Sequence, residues 1–398
     1  MASRKRGSKR ASAQAAGAYF GRLCEALCVV PSGGGWPDAF GSALGAWVAR
    51  RGGLKIKTLS LFTGAGGLDI GFHDAGFEIT DLVEIDERFA STLKANTGDS
   101  GRFGECRVHP IDIRKFHPPP GARYEFIIGG PPCQTFSAAG RRASGVRATK
   151  EKRGQLFLEY VRLLKEIQPH GFLFENVYGL TGAQKGKPWK KIKEAFESAG
   201  YTVFHRILDS ADYGVPQHRE RLFVVGLRRG QFLFPRPSHG PDSEGQRPLF
   251  AAREALARAS RRGPLPGRIG GRYKGLLEQI PPGLNYSFFT KRMGHPRPIF
   301  AWRSKFSDFL YKADPETPTR TIKAQGGLYT GPFHWDSRPF SLGELKRLQT
   351  FPDRYEISGG KMAAVHQIGN SVPPQIARIL ALAVREQVFS PSAARNGG

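Results

Sequence analysis

The chain has 398 residues, of which 60 are Lys or Arg and 34 are Asp or Glu, so its formal net charge is +26. This length allows two or three domains with a sizeable core, and the excess of cations indicates a polyanionic partner, nucleic acid first, or else a merely basic solvated surface. Four cysteines without Cys-x-x-Cys spacing exclude a disulfide scaffold and argue against structural zinc, and no apolar run approaches the roughly 20 residues of a membrane span.

The first 53 residues differ in composition from the rest, with eight Lys or Arg and two Asp or Glu. Because no apolar stretch and cleavage site follow the basic start, we expect no secretory signal and a protein of the reducing cytoplasm. Residues 1–53 are predicted to form a flexible basic extension with short helices near 19–29 and 39–49. Either its charge helps to hold nucleic acid or it is a dispensable extension.

From Lys55 onward, short apolar runs alternate with amphipathic ones. The predicted strands are 57–62, 79–85, 126–128, 172–174, 201–208 and 221–225, and the predicted helices are 68–75, 87–96, 156–167 and 189–199. Such alternation predicts an α/β fold of the doubly wound, Rossmann-like class, with a parallel sheet covered by helices on both faces.

A second, smaller and irregular domain is predicted after this sheet. Residues 227–337 carry 19 Lys or Arg and eight Asp or Glu, with dense Pro and Gly and weak helical periodicity. Helical patterns resume at 342–348 and 375–388. We therefore predict a catalytic domain over 54–226, a recognition domain over 227–337, and a return to the first domain over 338–398.

A glycine loop follows the first predicted strand, in Ser60–Leu68 (SLFTGAGGL). Glycines allow the backbone to pass close to a ligand, and doubly wound folds bind nucleotide-like ligands at this point. Glu84 follows Gly64 by 20 residues, at the end of the next predicted strand, where a carboxylate can accept hydrogen bonds from ribose hydroxyls. This pairing favours a nucleotide or S-adenosylmethionine over a plain tight turn.

Three further motifs stand at predicted strand ends or near them. In Gly129–Ser137 (GGPPCQTFS), two prolines stiffen the loop that presents Cys133. In Phe174–Val177 (FENV), the Glu175 carboxylate enters the fold interior and needs a partner or a role. In Pro216–Arg221 (PQHRER), Gln217, Arg219 and Arg221 share one side of an extended chain, which suits an anion, carbonyl oxygens or a surface ion-pair cluster.

A final motif, Gln367–Pro374 (QIGNSVPP), precedes the last predicted helix. Together with RGQLF at 153–157 and RLQTFPD at 347–353, these blocks resemble, in order, those of the C5-cytosine DNA methyltransferases of bacterial restriction-modification systems. The resemblance extends from Lys55 to about Val388, and residues from 227 to about 317 match only in position and size.

The resemblance implies a chemistry for four residues. Cys133 is the nucleophile that adds to cytosine C6, so that C5 can take a methyl group from S-adenosylmethionine. Glu175 contacts N3 and the exocyclic amine of the ring. Arg221 holds the cytosine O2, and Arg219 holds a phosphate beside the extruded base.

The resemblance also implies a cofactor pocket, with Glu84 at the ribose, Ile85 against the adenine and Asp112 at the adenine amine. The other pocket residues that it implies are Phe62, Gly64, Gly66, Gly67, Leu68, Ile113, Pro131, Leu156, Asn370 and Ser371. DNA contacts are expected at Gln134, Ser137, Gln217, Arg320 and Thr321. No metal is expected.

The partner implied by the resemblance is double-stranded DNA, whose target base is extruded from the helix. We expect a monomeric, DNA-associated bacterial or archaeal protein that has no membrane contact. A cognate restriction endonuclease would act on the same DNA site without binding this chain.

Three other functions share some of these sequence features. A tRNA cytosine methyltransferase is disfavoured because the recognition segment is long and the Cys-Phe-Thr tripeptide is absent. An amino-methyltransferase is disfavoured because Gly130 precedes Pro-Pro and Cys133 follows it. A catalytically dead DNA-binding regulator has no need of Cys133, Glu175 and Arg221 together.

Overall fold

A computed structural model describes residues 21–389 apart from 22, 32, 34, 52–53, 100, 133–155, 244–245, 258–266 and 305. The strands of this part are β1 Ile56–Leu61, β2 Phe77–Val83, β3 Arg107–His109, β4 Phe126–Gly129, β5 Gly171–Val177, β6 Thr202–Asp209 and β7 Glu220–Leu227. The α-helices are α1 Trp36–Arg50, α2 Gly67–Asp74, α3 Glu87–Ala95, α4 Leu156–Ile167, α5 Gly179–Gly182, α6 Lys187–Ser198, α7 Ala252–Leu256, α8 Leu276–Gln279, α9 Leu342–Leu348, α10 Lys361–Asn370 and α11 Pro374–Val384. None of these helices has the length and hydropathy that a membrane span requires.

The strands of the described residues form one sheet in the order β3-β2-β1-β4-β5-β7-β6. The pairs among β1 to β5 are parallel, whereas β7 runs antiparallel to both β5 and β6. The prediction of a wholly parallel sheet is therefore wrong at this edge. Strand β7 inserts between β5 and β6, and this brings its first residues to the carboxyl edge of the sheet.

Both faces of the sheet are buried, which explains why the central strands read as continuous apolar runs. In β5, Leu173 packs into the apolar cluster on the α2 and α11 side, and its neighbours Phe172 and Phe174 pack into the cluster on the α4 and α6 side. All three side chains have no exposed surface. Strand β3 was missed by the sequence prediction because it has only three residues and carries charged and partly exposed side chains.

Helix α1 overlaps the short helix predicted near residues 39–49 of the N-terminal segment. Its Trp36, Phe40 and Leu44 side chains are buried in the core cluster with α2 and α11. The Trp36 indole also donates a hydrogen bond to Gly214 O (3.2 Å), in the connection between β6 and β7. The segment is therefore part of the fold from Trp36 onward, because its apolar face completes the cover of the sheet.

Helix α9, which follows the predicted recognition domain, has a well-defined N-terminal cap. Ser341 and Glu344 form a capping box at the start of α9, and Arg338 pairs with the same Glu344 carboxylate (2.7 Å). The predicted bounds 342–348 are confirmed. The last predicted helix, 375–388, is observed as α11 followed by a π-helical turn at Arg385–Phe389.

Two smaller apolar clusters organise the residues between β7 and α11. One joins the predicted recognition segment to the helices that follow it, and its members are Ala252, Ala313, Ile322, Phe340, Leu345, Leu348 and Ile368. The other lies within the predicted recognition segment and comprises Ile269, Leu277, Ile280, Tyr286, Phe289, Leu310 and Phe333. The boundary at residue 337 stays a prediction.

A buried ion pair connects α11 to α2 and α1. The Arg378 guanidinium, 1% exposed, donates to Asp74 Oδ2 (2.8 Å) and Pro37 O (2.7 Å). Burial alone would raise the pKa of Asp74, but the Arg378 charge and further hydrogen bonds hold it at about 2. The Arg102 guanidinium pairs with the other oxygen, Asp74 Oδ1, so two cations stabilise this carboxylate inside the fold.

Arg378→Met is expected to lower the free energy of unfolding by about 1.5–3 kcal/mol, because it removes one buried charged hydrogen-bond donor from Asp74, which keeps its pair with Arg102. Urea unfolding measures the loss. The control Lys190→Met removes an exposed pair with Glu194 and is expected to change stability by less than about 0.5 kcal/mol. Equal effects of the two substitutions would contradict this account.

The same pair predicts a dependence on pH. The pKa of Asp74 is lower in the folded chain than its ordinary value, so the stabilisation is present above about pH 4 and is lost as the pH falls toward 2. Arg378→Met should flatten the acid limb of the stability curve over this window.

Candidate active site

The glycine loop is joined to the end of β2 by one carboxylate. Glu84 Oε2 accepts from the Gly64 N–H (2.7 Å), and Glu84 Oε1 accepts from the Asp86 N–H (2.9 Å). Burial raises the pKa of Glu84, and the two backbone donors oppose that rise. Each oxygen keeps further lone pairs, so the carboxylate can hold the loop and still accept from a ligand.

The turn that follows α10 lies against the same loop. A side chain at Gly67 would place its Cβ 2.2 Å from Val372 O and 3.1 Å from Ser371 Cβ, so only glycine allows this approach. The Tyr355 hydroxyl donates to Ala65 O (2.9 Å). The two distant motifs that the sequence assigned to the cofactor are thus in contact.

The remaining predicted cofactor residues fall into two sets. Several are exposed or half-buried, and these are Phe62, Ile85, Asp112, Leu156 and Asn370. Others are buried, and these are Leu68, Ile113, Pro131 and Ser371. Leu68 and Ile113 belong to the core clusters, so any contact they make with a ligand is through the backbone or a small part of the side chain.

An adenosyl group fits this arrangement. Ile85 is 62% exposed although it follows a buried strand, so its apolar side chain offers an uncovered surface to a base. The neighbouring Glu84 offers carboxylate acceptors of the kind that ribose hydroxyls require. Asp112 already accepts from the Arg114 N–H (3.0 Å) and pairs with the Arg114 guanidinium, and its contact with the adenine amine stays a prediction.

Glu84→Ala is expected to weaken the binding of S-adenosylmethionine by about 1–3 kcal/mol, because it removes charge-assisted acceptors and releases the Gly64 N–H. Calorimetric titration of the purified protein measures this. The control Glu78→Ala, at a surface pair with Lys55, should leave the affinity unchanged. An unchanged affinity in Glu84→Ala would show that the ribose lies elsewhere.

The strongest charge pair at the carboxyl edge joins β5 to β7. Arg221 Nε lies 3.0 Å from Glu175 Oε1, and the two side chains are only 16% and 13% exposed. The antiparallel register sets Val177 opposite Arg221 and Glu175 opposite Phe223. Glu175 and Arg221 are therefore diagonal neighbours on the same face of the sheet. Burial raises the pKa of Glu175, and the Arg221 and Arg219 charges oppose the rise.

The loop that leads to Cys133 leaves β4 beside this pair. A Cβ at Gly130 would lie 2.7 Å from Glu175 Oε2, so the carboxylate packs directly on the backbone there. Asn176 Nδ2 donates to Pro131 O (3.1 Å), which holds the start of the loop against β5. Cys133, Gln134 and Ser137 themselves lie outside the described residues.

Arg219 is 1% exposed and turns inward, where its Nη2 donates to Gly369 O (3.0 Å). Its Nε and Nη1 have no hydrogen-bond partner among the described residues. The guanidinium faces the interior of the chain, and the contact with a DNA phosphate that the resemblance implied stays a prediction. Two unpaired buried donors suit a ligand that enters the cleft, because buried N–H groups need acceptors.

Gln217 links the arginine stretch to neighbouring segments, and its contact with DNA stays a prediction. Its side chain is fully buried, accepts from the Ile322 N–H (2.9 Å) and donates to Gln349 Oε1. Gln349 in turn donates to Ser371 O (2.6 Å), so this pair of amides joins the PQHRER stretch to the cofactor turn. Sequence reasoning missed Gln349, although it stands in the RLQTFPD block.

The predicted readout turn lies beside the arginine stretch. The backbone of Thr319 bonds to Pro216 O (3.0 Å) and to the His218 N–H (2.8 Å), and Thr321 Oγ1 donates to His218 O (2.7 Å). Arg320 rests over the Tyr311 ring, 3.9 Å from its centroid. DNA contacts by Arg320 and Thr321 stay predictions.

Comparison with known proteins agrees with this geometry. The family model described as C-5 cytosine-specific DNA methylase matches residues 56–386. The Type II methyltransferase M.SacI of Streptomyces achromogenes is 34% identical over 367 residues, covering 84% of this chain and 94% of that protein. M.NgoFVII of Neisseria gonorrhoeae, also a Type II methyltransferase, is 34% identical over 331 residues, covering 81% and 84%.

Solved structures resemble the fold as well. A DNA modification methyltransferase encoded within a prophage (E. coli) superposes with a TM-score of 0.59 at 23% identity, covering 84% of this chain and 100% of that chain. The methyltransferase EhMeth of Entamoeba histolytica superposes with a TM-score of 0.52 at 12% identity, covering 85% and 100%. The predicted fold class is confirmed.

Proposed function

The chain belongs to the C-5 cytosine-specific DNA methylase family, and on that premise we propose that it methylates C5 of an extruded cytosine through a covalent bond between Cys133 and C6. The methyl donor is S-adenosylmethionine. The observation that carries this proposal is the buried Glu175–Arg221 pair, packed on Gly130 at the start of the loop that bears Cys133.

The covalent step explains why these residue types stand together. C5 of cytosine is a poor nucleophile, but addition of the Cys133 thiolate to C6 moves the ring electrons toward C5. S-adenosylmethionine, when bound, supplies an electrophilic methyl group to that carbon. S-adenosylhomocysteine is the leaving group, a water molecule takes the C5 proton, and the electrons of that C–H bond expel the Cys133 thiolate from C6, which restores the aromatic ring.

Glu175 and Arg221 stabilise the ring during attack. The Glu175 carboxylate accepts from the exocyclic amine, and burial, which raises its pKa, favours its taking up a proton from solvent and passing it to N3 during attack. The Arg221 guanidinium offers donors to O2, where negative charge increases as C6 is attacked. The pair needs little rearrangement because its ion pair already fixes both side chains.

Cofactor binding is assigned to the cleft between the glycine loop and the turn after α10. Glu84 accepts from the ribose, Ile85 covers one face of the adenine, and the N–H groups at the start of α2 face the methionine end. The close approach of the Ser371–Val372 turn to Gly67 supports this assignment, because it brings the two predicted cofactor motifs together.

The target base is extruded from the duplex into this site, because C5 and C6 are out of reach of a side chain within stacked DNA. We assign the chain to the modification side of a type II restriction-modification system, as a monomer. A cognate endonuclease would read the same site without contacting this protein.

One assay tests the reaction. Purified protein is incubated with labelled S-adenosylmethionine and either double-stranded DNA or tRNA, and the products are mapped by bisulfite sequencing. We expect 5-methylcytosine in DNA at one sequence. Label in tRNA alone, or at an exocyclic amine of DNA, would contradict the proposal.

A further inference from the structure

The stretch from Lys291 to Phe306 combines exposed apolar side chains with a local excess of cations. Between Glu278 and Asp308 the sequence holds no Asp or Glu, and its Lys and Arg residues are Lys291, Arg292, Arg297, Arg303 and Lys305. The exposed apolar side chains are Met293 (52%), Ile299 (51%), Trp302 (48%) and Phe306 (42%). An apolar surface of this kind is unusual without a partner, and the charges favour a polyanion.

Arg292 lies closer to an aromatic ring than Arg303 of the same stretch, whose guanidinium carbon is 5.5 Å from the centroid of the Phe306 ring. The Arg292 guanidinium carbon lies 4.3 Å from the centroid of the Trp302 ring. Within the described residues the side-chain N–H groups of Arg292 have no hydrogen bond or ion pair. Arg320 differs, because it stacks on Tyr311 and its Nη1 also donates a hydrogen bond to Ser307 O (2.9 Å). Stacking therefore fixes the plane of the Arg292 guanidinium and leaves its N–H groups free to donate to a ligand.

The backbone under this platform is anchored on both sides. The Tyr286 hydroxyl accepts from the Arg303 N–H (2.8 Å) and donates to Arg303 O (2.8 Å). Arg320 ties Ser307 to the readout turn, and Thr321 of that turn bonds to His218 O, next to Arg219. The stretch is thus connected to the arginines of the active site by an unbroken series of contacts.

We propose that Arg292, held flat on Trp302, is a specificity-determining residue that donates to the O6 and N7 atoms of a guanine in the major groove. The planar guanidinium can donate two parallel hydrogen bonds to guanine O6 and N7. Because the Trp302 ring already restricts the rotation of the Arg292 side chain, less conformational entropy is lost on binding. Arg297, which has no aromatic ring beneath it in the described residues, is assigned to phosphate. The inference rests on the proposed function only in that the ligand is DNA.

The experiment selects bound duplexes from a random DNA library, so that its readout does not require methyl transfer. Wild type is compared with Arg292→Ala, Arg292→Lys, Trp302→Leu and the matched control Arg297→Ala. Arg292→Ala and Arg292→Lys should each reduce the preference for one guanine by about ten- to a hundredfold, because lysine keeps the charge but not the two parallel donors. Trp302→Leu should give a smaller loss at the same position, and Arg297→Ala should weaken all sequences alike.

Binding of S-adenosylmethionine, measured for each variant, shows that the catalytic domain is intact. The inference is overturned if Arg292→Ala lowers the affinity for all DNA sequences equally and reduces the slope of log affinity against log salt concentration by about one. That is the behaviour of a phosphate contact. It is also overturned if Trp302→Leu leaves the guanine preference unchanged. Sequence-selective binding without methylation by wild type would instead refute the proposed function alone.

Discussion

Replacing Cys133 with serine is expected to lower the rate of methyl transfer by more than about a thousandfold. The serine hydroxyl is almost entirely protonated at neutral pH and is a weaker nucleophile toward C6 than a thiolate. Single-turnover transfer of label from S-adenosylmethionine to a DNA duplex measures the rate. Affinities for cofactor and DNA should stay close to those of the wild type, because serine is nearly the same size as cysteine.

Cys28→Ser is the matched control, since Cys28 is an exposed free thiol in the N-terminal segment. It should methylate at the wild-type rate. Rapid turnover by Cys133→Ser would refute the covalent step, and an equal loss in both variants would point to a general effect of thiol replacement.

Glu175→Gln is expected to lower the same rate by about a hundred- to a thousandfold. The amide keeps the shape of the carboxyl but removes the charge that faces Arg221 Nε at 3.0 Å, and it cannot give a proton to N3. Substrate binding should weaken less than turnover, because the ring accumulates charge only during attack. Rates measured with saturating DNA separate the two effects.

Glu220→Gln serves as its control. Glu220 precedes Arg221 in β7, and its exposed side chain points to the other face of the sheet. The control should keep nearly full activity. A Glu175→Gln variant that retains a third or more of the wild-type rate would show that the carboxylate supports the fold of the site and takes no part in the reaction.

The local sequence was sufficient for the elements whose signals are short in range. Residues close together in the chain form the apolar runs of β1, β4 and β5 and the capping box that begins α9. The spacing of Gly64 and Glu84 is likewise visible in the sequence. The motifs, taken in their order along the chain, also indicated the family, because the reaction requires particular residue types at those places. The fold class and the family were therefore available before any coordinates.

Only the tertiary structure decided how distant segments meet. The reversal of β7 is a choice between strand partners far apart in the sequence, and it is this reversal that sets Arg221 diagonally across from Glu175. Helix α1 looked like part of a basic tail until its apolar face was seen packed under α11. The burial of Gln217 and Arg219 was likewise not predictable from the sequence, because a side chain's exposure depends on everything packed around it and not on its own residue type.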